Sequence, residues 1–326
     1  MKKIFSIALC IFISAFLFSQ EEDLSNKSSA WSFSSGTDFA FYPKSDYVTG
    51  STHFAPLTGF YSGLEARTTL HATYTIPVPF NDGALFSGNT VAIDSAIELS
   101  PVTFLPKFSV SFSPIAFLNF KAGANIGTGW KFLGIKALSV YDSDKREYVQ
   151  QDPFKTWFYQ LYTSGTIMFD TAAIFPGDWN HVVAVASFEI DYTGLLNANK
   201  HAELFQWQTT GGKVQGLEFI SSYILGYQMP LKLSMAGIMI DTEKYINENN
   251  FENKYKLFNG TFNTITINPL VQITFNKNDS ILLLASFANR RSFEEEHTST
   301  EEEPLLTYSG NEWLFRRIAC SWSHKF

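Results

Sequence analysis

Charged side chains occur at alternate positions in several segments whose other positions are apolar or aromatic. In residues 64–76, for example, Glu65, Arg67 and His71 share one parity, while Leu70 and Tyr74 share the other. If each segment is a β-strand, this spacing puts its charged groups on one face. The charged positions assigned to that face are Asp38, Glu65, Arg67, His71, Asp94, Glu98, Lys107, Lys121, Glu189, Asp191, Glu218 and Arg317.

A face that carries charges of both signs permits two kinds of chemistry. If it lines a water-filled interior, its charges would attract and select polar solutes. If the charges pair with one another instead, they would fill a narrow interior and stabilise its wall. The spacing of the residues leaves both alternatives open.

A second concentration of charge is acidic and lies within one polar segment. It comprises Glu294, Glu295, Glu296, Glu301, Glu302 and Glu303. Clustered carboxylate oxygens suit hard divalent cations, whereas a run of like charges is more often a solvated loop. We predict an acidic outer loop. A melting shift with millimolar calcium would identify it as a cation site.

Spacings typical of catalysis do not occur in the sequence. It has no Gly-x-Ser-x-Gly nucleophile elbow, no phosphate-binding loop and no dinucleotide-binding fingerprint. None of its six His residues forms a metal-ligand pair with another His, Cys or carboxylate at a familiar spacing. Facing strands can still bring a distant Ser and His together at one rim. We nevertheless predict that the protein is not an enzyme and uses no cofactor and no metal.

Alternation with a period of two runs through most of the chain and indicates β-strands. In residues 262–275, Ile265 and Ile267 share one face and Thr264 lies on the other; Pro269, in the middle, predicts a local bulge. The segments with this pattern are 30–41, 64–76, 91–99, 107–112, 120–130, 157–169, 182–192, 217–228, 231–241, 262–275, 280–290 and 313–326.

The connections between these segments alternate between short and long. Short ones lie around 81–88, 114–116, 176–178, 229–230 and 276–279, and long ones span 43–63, 131–156, 194–216, 242–261 and 291–312. This predicts an all-β fold, an antiparallel transmembrane up-and-down β-barrel of about 12 strands, with roughly 10 to 14 possible. It would have short periplasmic turns and long outer loops. The connection 101–106 is too short for this rule, and residues 202–208 could extend a strand.

The C-terminal residues alternate in the same way. Counting back from Phe326 at every second position gives His324, Trp322, Cys320 and Ile318. This end resembles Gram-negative outer-membrane β-barrel proteins of the porin-like superfamily, whose chains end in Phe or Trp after alternating apolar residues. The resemblance implies that Ile318, Cys320, Trp322 and Phe326 form a C-terminal signal for the barrel-insertion machinery. His324 departs from the pattern, because a more apolar residue is usual there.

The N-terminal residues predict export. Lys2 and Lys3 precede an apolar run over residues 4–18, which is followed by polar and acidic residues. This order is typical of a secretory signal peptide. We expect residues 1–20 to be the signal peptide, residues 21–29 a short extension, and residues 30–326 a single barrel domain in the outer membrane.

Composition agrees with strands that face lipid. Aromatic residues make up 16% of the chain, with 32 Phe, more than a soluble core of this size normally uses. The net charge of −7 argues against nucleic-acid binding. Once the signal peptide is removed only Cys320 is left, so no intramolecular disulfide is available. A secreted β-sandwich is the alternative fold, because alternation does not distinguish water from lipid on the outside.

The sequence therefore predicts a porin-like passive channel for small hydrophilic solutes. One alternative is a surface-exposed adhesin or interaction barrel with a plugged lumen. Another is a carrier for hydrophobic substrates, suggested by Ile220, Ile224 and Leu270 on the inward face. The expected partners are outer-membrane lipid, the insertion machinery, and small polar solutes or an external surface ligand, but not nucleic acid. The sequence does not indicate an oligomeric state.

Overall fold

Seventeen β-strands account for most of the regular structure in the described residues. A computed structural model describes residues 29–78, 88–198, 204–208, 210–296 and 303–326, so the predicted signal peptide lies outside it. The strands are β1 (Ala30–Lys44), β2 (His53–Phe54), β3 (Gly59–Pro77), β4 (Thr90–Leu99), β5 (Thr103–Ile115), β6 (Leu118–Gly129), β7 (Leu138–Asp142), β8 (Glu147–Gln150), β9 (Trp157–Asp170), β10 (His181–Leu196), β11 (Phe205–Trp207), β12 (Thr210–Lys213), β13 (Gly216–Gln228), β14 (Leu233–Tyr245), β15 (Thr264–Thr274), β16 (Asp279–Phe293) and β17 (Tyr308–Lys325). Short 3-10 helices span Thr171–Ala173, Glu248–Asn250 and Asn253–Phe258. In the described ranges, no helix has the length and apolar character needed to span a membrane.

Twelve of the described strands form one closed antiparallel sheet. They are β1, β3, β4, β5, β6, β9, β10, β13, β14, β15, β16 and β17. β1 pairs with β17 in continuous register, from Ser34 opposite Lys325 to Phe41 opposite Ile318. This pairing removes both free edges of the sheet. The predicted antiparallel barrel of about 12 strands is confirmed.

The connections between barrel strands alternate in length. One end of the barrel, the loop end, has connections 45–58, 100–102, 130–156, 197–215, 246–263 and 294–307. The opposite end, the turn end, has connections 78–89, 116–117, 171–180, 229–232 and 275–278. The connection after β4 is short because Ser100 Oγ accepts the backbone N–H groups of Val102 and Thr103, at 3.2 and 3.0 Å. The predicted turn around 81–88 lies almost entirely outside the described residues.

Pro269 interrupts a ladder without forming the bulge that its position predicts. On one side it lies opposite Ile238. On the other side the register is unchanged from Thr266, opposite Ala288, to the end of β15. The predicted bulge is wrong because each backbone N–H points to only one neighbouring strand. A missing donor therefore removes one hydrogen bond without shifting the strand.

A bulge occurs instead between β16 and β17. Ser286 pairs with Arg317 and Phe287 pairs with Phe315, so Arg316 is the extra residue. Arg316 and Arg317 are both buried. Strict alternation assigned only Arg317 to the inside, because an inserted residue shifts the period of two.

The outer face of the barrel wall is apolar. Large exposed apolar residues on this face include Leu70, Ile97, Val110, Phe120, Leu161, Ile190, Leu225, Ile238, Leu283 and Ile318. Aromatic pairs lie toward both ends: the rings of Trp31 and Tyr74 are 5.0 Å apart at the turn end, and those of Phe41 and Phe60 are 5.1 Å apart at the loop end. This distribution suits strands that cross a lipid layer.

The interior has an apolar side and a polar side. The apolar core is a cluster of buried residues on β1, β10 and β13 to β17, namely Ala40, Tyr42, Val183, Val185, Ile224, Met235, Met239, Leu270, Leu284 and Ala319. Buried polar residues of the same strands, such as Asp241, Asn268 and Ser286, hydrogen-bond with one another. A polar cavity lies on the other side, where the inward residues of β3 to β6 and β9 are mostly polar.

Four short strands form a second sheet at the loop end, in the order β12, β11, β7 and β8. We call this sheet the lid. It is drawn from the connections 130–156 and 197–215. Contrary to the expectation from the sequence, the described part of the range 202–208 does not extend a barrel strand, because β11 pairs with β7, with Gln206 opposite Ser139, and residues 202–203 lie outside the described residues. The chain leaves the wall after Leu196 at Asn197, whose φ of 60° is incompatible with a continuing strand.

Candidate functional site

A polar cavity of about 350 Å³ lies along the inner wall, against strands β3 to β6, β9, β10 and β13. Serine, threonine, asparagine and glutamine side chains form much of its lining. A cavity of this size and chemistry can hold a small solute. The structure places ten of the twelve charged residues assigned to the inward face in its lining: Asp38, Arg67, His71, Asp94, Glu98, Lys107, Lys121, Glu189, Asp191 and Glu218.

The other two assigned residues, Glu65 and Arg317, lie beside Tyr42 instead. The Tyr42 hydroxyl donates to Glu65 Oε2 at 2.8 Å, and Arg317 Nη1 donates to the Tyr42 oxygen at 3.3 Å. Tyr42 belongs to the apolar core. Glu65 and Arg317 therefore connect the two sides of the interior.

Glu98 is the centre of an ion-pair network at the loop end of the cavity. Its Oε2 lies 2.7 Å from Lys107 Nζ and 3.6 Å from Arg67 Nη1, and its side chain is only 1% exposed. Arg67 Nε also donates to Asp38 Oδ2 at 2.9 Å. Two cations and two carboxylates thus neutralise one another where burial is deepest, and burial makes the loss of any one partner costly.

Two charged residues of the lining that lie toward the turn end, His71 and Asp94, are partly exposed. His71 Nδ1 lies 3.1 Å from Asp94 Oδ2, and Thr73 Oγ1 donates to Asp94 Oδ1 at 2.7 Å. The side chains of His71 and Asp94 are 21% and 22% exposed, whereas Glu98, farther along β4, is 1% exposed. Exposure is not graded along the barrel axis, because Lys107 beside Glu98 is 20% exposed and Asn119 near the turn end is buried.

β10 contributes two inward carboxylates, Glu189 and Asp191. Both line the cavity and both are buried. Gln160 Nε2 donates to Asp191 Oδ2, and Asn125 Nδ2 donates to Gln160 Oε1 at 2.7 Å. Among the described residues, the salt bridges of the cavity involve other carboxylates and none includes this pair. Lys121 attracts Glu189, and the side chains of Glu189 and Asp191 interact directly with each other.

The lid covers the loop end of the cavity with Trp207 and Gln208. Trp207 is 1% exposed and stacks on Phe158, with ring centroids 4.5 Å apart and planes 9° from parallel. Gln208 Nε2 donates to Glu98 Oε1 at 2.8 Å and to Thr103 Oγ1 at 3.1 Å. The lid is thus held by the same carboxylate that binds Arg67 and Lys107.

A lid cation completes the contact with the opposite wall. Lys213 Nζ lies 3.2 Å from both carboxylate oxygens of Glu218 and 3.7 Å from Glu243 Oε1. Strand alternation assigned Glu218 to the inward face but not Lys213, Trp207 or Gln208. These three residues lie in a long connection, where strand alternation gives no assignment.

Two glycines in β6 are the sequence signal that could have pointed to large inward rings. A Cβ at Gly127 would lie 2.7 Å from Trp207 Cη2 and 2.7 Å from Leu105 Cδ1. A Cβ at Gly123 would lie 2.5 Å from the Tyr162 hydroxyl. Glycine within a strand often marks such a close approach.

The two ends of the predicted acidic loop are joined through Glu295. The backbone N–H of Thr307 donates to Glu295 Oε2 at 3.1 Å, and this hydrogen bond holds the pKa of Glu295 below its usual range. Of the six glutamates, the structure describes Glu294, Glu295, Glu296 and Glu303, whereas Glu301 and Glu302 lie outside the described residues. Among the described residues, no group of three His, Cys, Asp or Glu side chains is arranged to hold a metal ion. A cation site in the whole loop stays a prediction.

The residues of the predicted C-terminal signal lie on the outward face of β17. Ile318, Trp322 and Phe326 are exposed and Cys320 is half-buried. His324 Nδ1 lies 2.8 Å from Asp279 Oδ1, and the rings of His324 and Phe326 are 4.8 Å apart. The carboxylate explains how a polar residue is accommodated here. Recognition by the insertion machinery stays a prediction.

Comparison with known proteins finds similarity in structure only. No protein-family model matches the chain, and no curated protein sequence matches it. An outer-membrane channel from Pseudomonas putida F1 is similar over 94% of this chain and 99% of its own, with 7% identity and a TM-score of 0.46. The translocator domain of the autotransporter NalP from Neisseria meningitidis is similar over 98% of this chain and 96% of its own, with 10% identity and a TM-score of 0.36. The KdgM porin is similar over 89% and 99%, with 9% identity and a TM-score of 0.34. At these identities the similarity extends no further than the barrel architecture.

Proposed function

We propose that this chain is an outer-membrane barrel that gives small hydrophilic solutes a passage along one side of its interior, with the lid closing that passage at rest. The observation that carries the proposal is the polar cavity of about 350 Å³, which is lined by charges of both signs and covered by the lid at the loop end. Selection would come from the width of the passage and from its inward charges.

Placement in a membrane is supported by the outer face of the wall. Closure satisfies the backbone hydrogen bonds of every wall strand, as a lipid environment requires. Leu161, Leu225 and Ile318 are about half exposed on that face, which would be costly in water and is favourable in lipid. Lipid and the barrel-insertion machinery are the partners that this placement implies.

The lid makes the resting passage narrow. Trp207, Gln208 and Lys213 each contact the wall, through Phe158, Glu98 and Glu218 respectively. Conduction would require these contacts to open together. The proposed channel therefore gives rare, brief openings in its native form and longer openings when the lid is weakened.

Planar-bilayer recording of refolded protein tests this proposal. The variant Trp207→Ala with Gln208→Ala removes both lid contacts, and its mean open time should rise about 10-fold or more, since burial of a Trp alone contributes about 3 kcal/mol or more. Phe154→Ala is the matched control, because Phe154 is a 61% exposed aromatic in the connection 130–156. Heat-modifiable gel mobility verifies that each protein is folded. Folded protein that conducts in neither form would refute the passage.

An interaction barrel with a plugged lumen is the second candidate, and the packing of its loops favours it. Residues from four loop-end connections and the adjoining strands form one buried cluster of Tyr141, Tyr148, Leu204, Val214, Tyr245, Phe251, Tyr255, Phe258, Phe293 and Leu306. Such a cap is a rigid platform for an external ligand. An interaction barrel of this kind predicts that the folded protein gives no current, even when the lid carries Trp207→Ala and Gln208→Ala.

A further inference from the structure

Oxygen atoms that can accept but have no donor face the polar cavity on its β6, β9 and β10 wall. Asp191 Oδ1 is one of these buried atoms, Asn125 Oδ1 is another, and the Thr193 hydroxyl is also unpartnered within the described structure. Thr193 lies opposite Gln160, which lies opposite Asn125, so the three residues form one cross-strand patch with Asp191 beside it. Asp191 is 0% exposed and Thr193 is 1% exposed. Carboxylate and amide oxygens only accept, so an occupant of this patch must donate hydrogen bonds.

The charge of the cavity favours a cationic occupant. Its lining contains seven carboxylates, Asp38, Asp94, Glu98, Glu189, Asp191, Glu218 and Glu243. It contains only four Lys and Arg side chains, Arg67, Lys107, Lys121 and Lys213. Three of these cations, Arg67, Lys107 and Lys213, form salt bridges with four of the carboxylates, and Lys121 attracts Glu189. The lining as a whole therefore has an excess of carboxylates. Within it, the Glu189 and Asp191 side chains interact directly with each other, and two carboxylates in contact need a proton or a cation between them.

Aromatic rings in the same lining indicate an organic cation. Tyr162, Phe158 and Trp207 line the cavity and could contact hydrocarbon or the face of a cationic group. The acidic pair lacks the third ligand that a metal site requires among the described residues. A primary ammonium group, with three donors and one positive charge, matches the acceptors and the charge together.

We propose that Glu189 and Asp191 form a subsite for the ammonium group of a small organic amine. The proposal rests on the proposed function, because it names the solute class that the passage would favour. Gln160 positions Asp191 by donating to Oδ2, so Oδ1, beside Glu189, is the oxygen left to accept from the occupant. Lys121 limits the affinity, because its charge competes for Glu189.

Isothermal titration of the refolded full chain in detergent tests the subsite without requiring conduction. Diaminobutane should bind saturably, whereas butanediol, which replaces each ammonium by a hydroxyl group, should not. Glu189→Gln combined with Asp191→Asn should weaken the binding of diaminobutane at least about 10-fold, as expected for loss of a buried charge pair. Lys121→Met should strengthen it about 3-fold or more, so the test does not depend on a variant that loses binding.

Asp241→Asn is the matched control. Asp241 is an inward, 7% exposed carboxylate on β14, but its two oxygens accept from Ser222 at 2.6 Å and from Asn268 at 2.9 Å. It does not line the cavity, so its substitution should change the affinity by less than about 2-fold. Equal binding of butanediol, no saturable binding of diaminobutane, or an unchanged affinity in the double variant would each show that the patch holds only water. Bilayer currents without amine binding would refute the subsite alone, and amine binding without currents would refute the passage alone.

Discussion

The apolar core and the polar cavity lie on opposite sides of one barrel interior and satisfy their inward side chains by different means. Met239 and Leu270 are buried by contact with other apolar side chains. Glu98 and Arg67 are equally buried, but each needs a charged partner at a specific distance. Apolar packing tolerates small shifts, whereas a buried ion pair does not.

This division separates stability from solute contact. On the apolar side the inward residues pack against one another or hydrogen-bond with one another, as Asp241 does with Asn268. On the polar side the same wall geometry leaves a cavity, because polar side chains are satisfied by partners or by solvent. Substitutions on the two sides should therefore have different consequences.

Removal of the Glu98 carboxylate should have the largest effect. Glu98→Ala leaves Lys107 without its close carboxylate, leaves Arg67 with Asp38 alone and removes one of the two bonds from Gln208 to the wall, so we expect a loss of about 3–5 kcal/mol in the free energy of unfolding. Urea unfolding in lipid vesicles, followed by tryptophan fluorescence, measures it. Glu294→Ala, at an exposed glutamate, should be neutral. A loss below about 1 kcal/mol would show that the network does not stabilise the barrel.

Truncation in the apolar core should be nearly as destabilising but should leave the solute path unchanged. Met239 is 0% exposed, and Met239→Ala should cost about 2–5 kcal/mol through the cavity it creates. The conductance and amine affinity of the refolded variant should equal those of the native protein. Ile238→Ala, on the outward face beside it, is the control. A change in conductance for Met239→Ala would contradict the separation of the two sides.

A methyl group at Gly127 should loosen the lid and should lower the free energy of unfolding by less than the two substitutions above. The added Cβ would lie 2.7 Å from both Trp207 and Leu105. Gly127→Ala should therefore displace Trp207 and lower the free energy of unfolding by about 1–3 kcal/mol. The emission of Trp207 should shift to longer wavelength as the ring becomes exposed. Gly165→Ala is the matched control, because its Cβ would lie 3.7 Å from Phe120, an ordinary van der Waals distance. Equal spectra for the two variants would mean that Gly127 does not position the lid.

Acidification should release the loop that Glu295 holds, with the smallest effect of the four. The hydrogen bond from Thr307 lowers the pKa of Glu295, so its contribution is complete above the usual glutamate pKa of about 4.3 and is lost as pH falls through the lowered value. Hydrogen exchange should show protection of the Thr307 amide that decreases over this range. Glu295→Gln should remove the pH dependence, whereas Glu296→Gln should retain it. Protection that is constant with pH would argue against this contact.

The barrel wall could be predicted from the sequence because it depends on a local rule. A period of two fixes which residues share a face, and a buried or lipid-facing side makes that pattern visible. This is why the assigned inward charges, such as Lys107 and Asp191, have inward positions in the structure. The prediction failed at the bulge that adds Arg316, because an extra residue interrupts the alternation. It also failed at Pro269, where the predicted bulge is absent because the ladder tolerates the missing donor.

The lid and the division of the interior could not be predicted in this way. Both depend on contacts between residues far apart in sequence, such as Gln208 with Glu98. Inward apolar residues such as Leu270 and Ile224 were visible, but the sequence does not show that strands β10 and β13 to β17 bring them together with Tyr42 and Ala319. Loop conformation adds a further difficulty, because Asn197 turns the chain out of the wall at a position that alternation does not mark.

The ladder between β1 and β17 has a consequence for how the chain can be assembled. The other ladders of the wall join strands that follow one another along the chain. The β1–β17 ladder instead joins the first wall strand to the last, with Phe41 opposite Ile318. A nascent chain would therefore expose an unpaired, apolar-faced edge until its last wall strand has been synthesised. Long-range pairing of this kind is slow and prone to aggregation. Efficient assembly then requires a holding chaperone during transit, and truncation before Tyr308 should yield aggregates instead of smaller barrels.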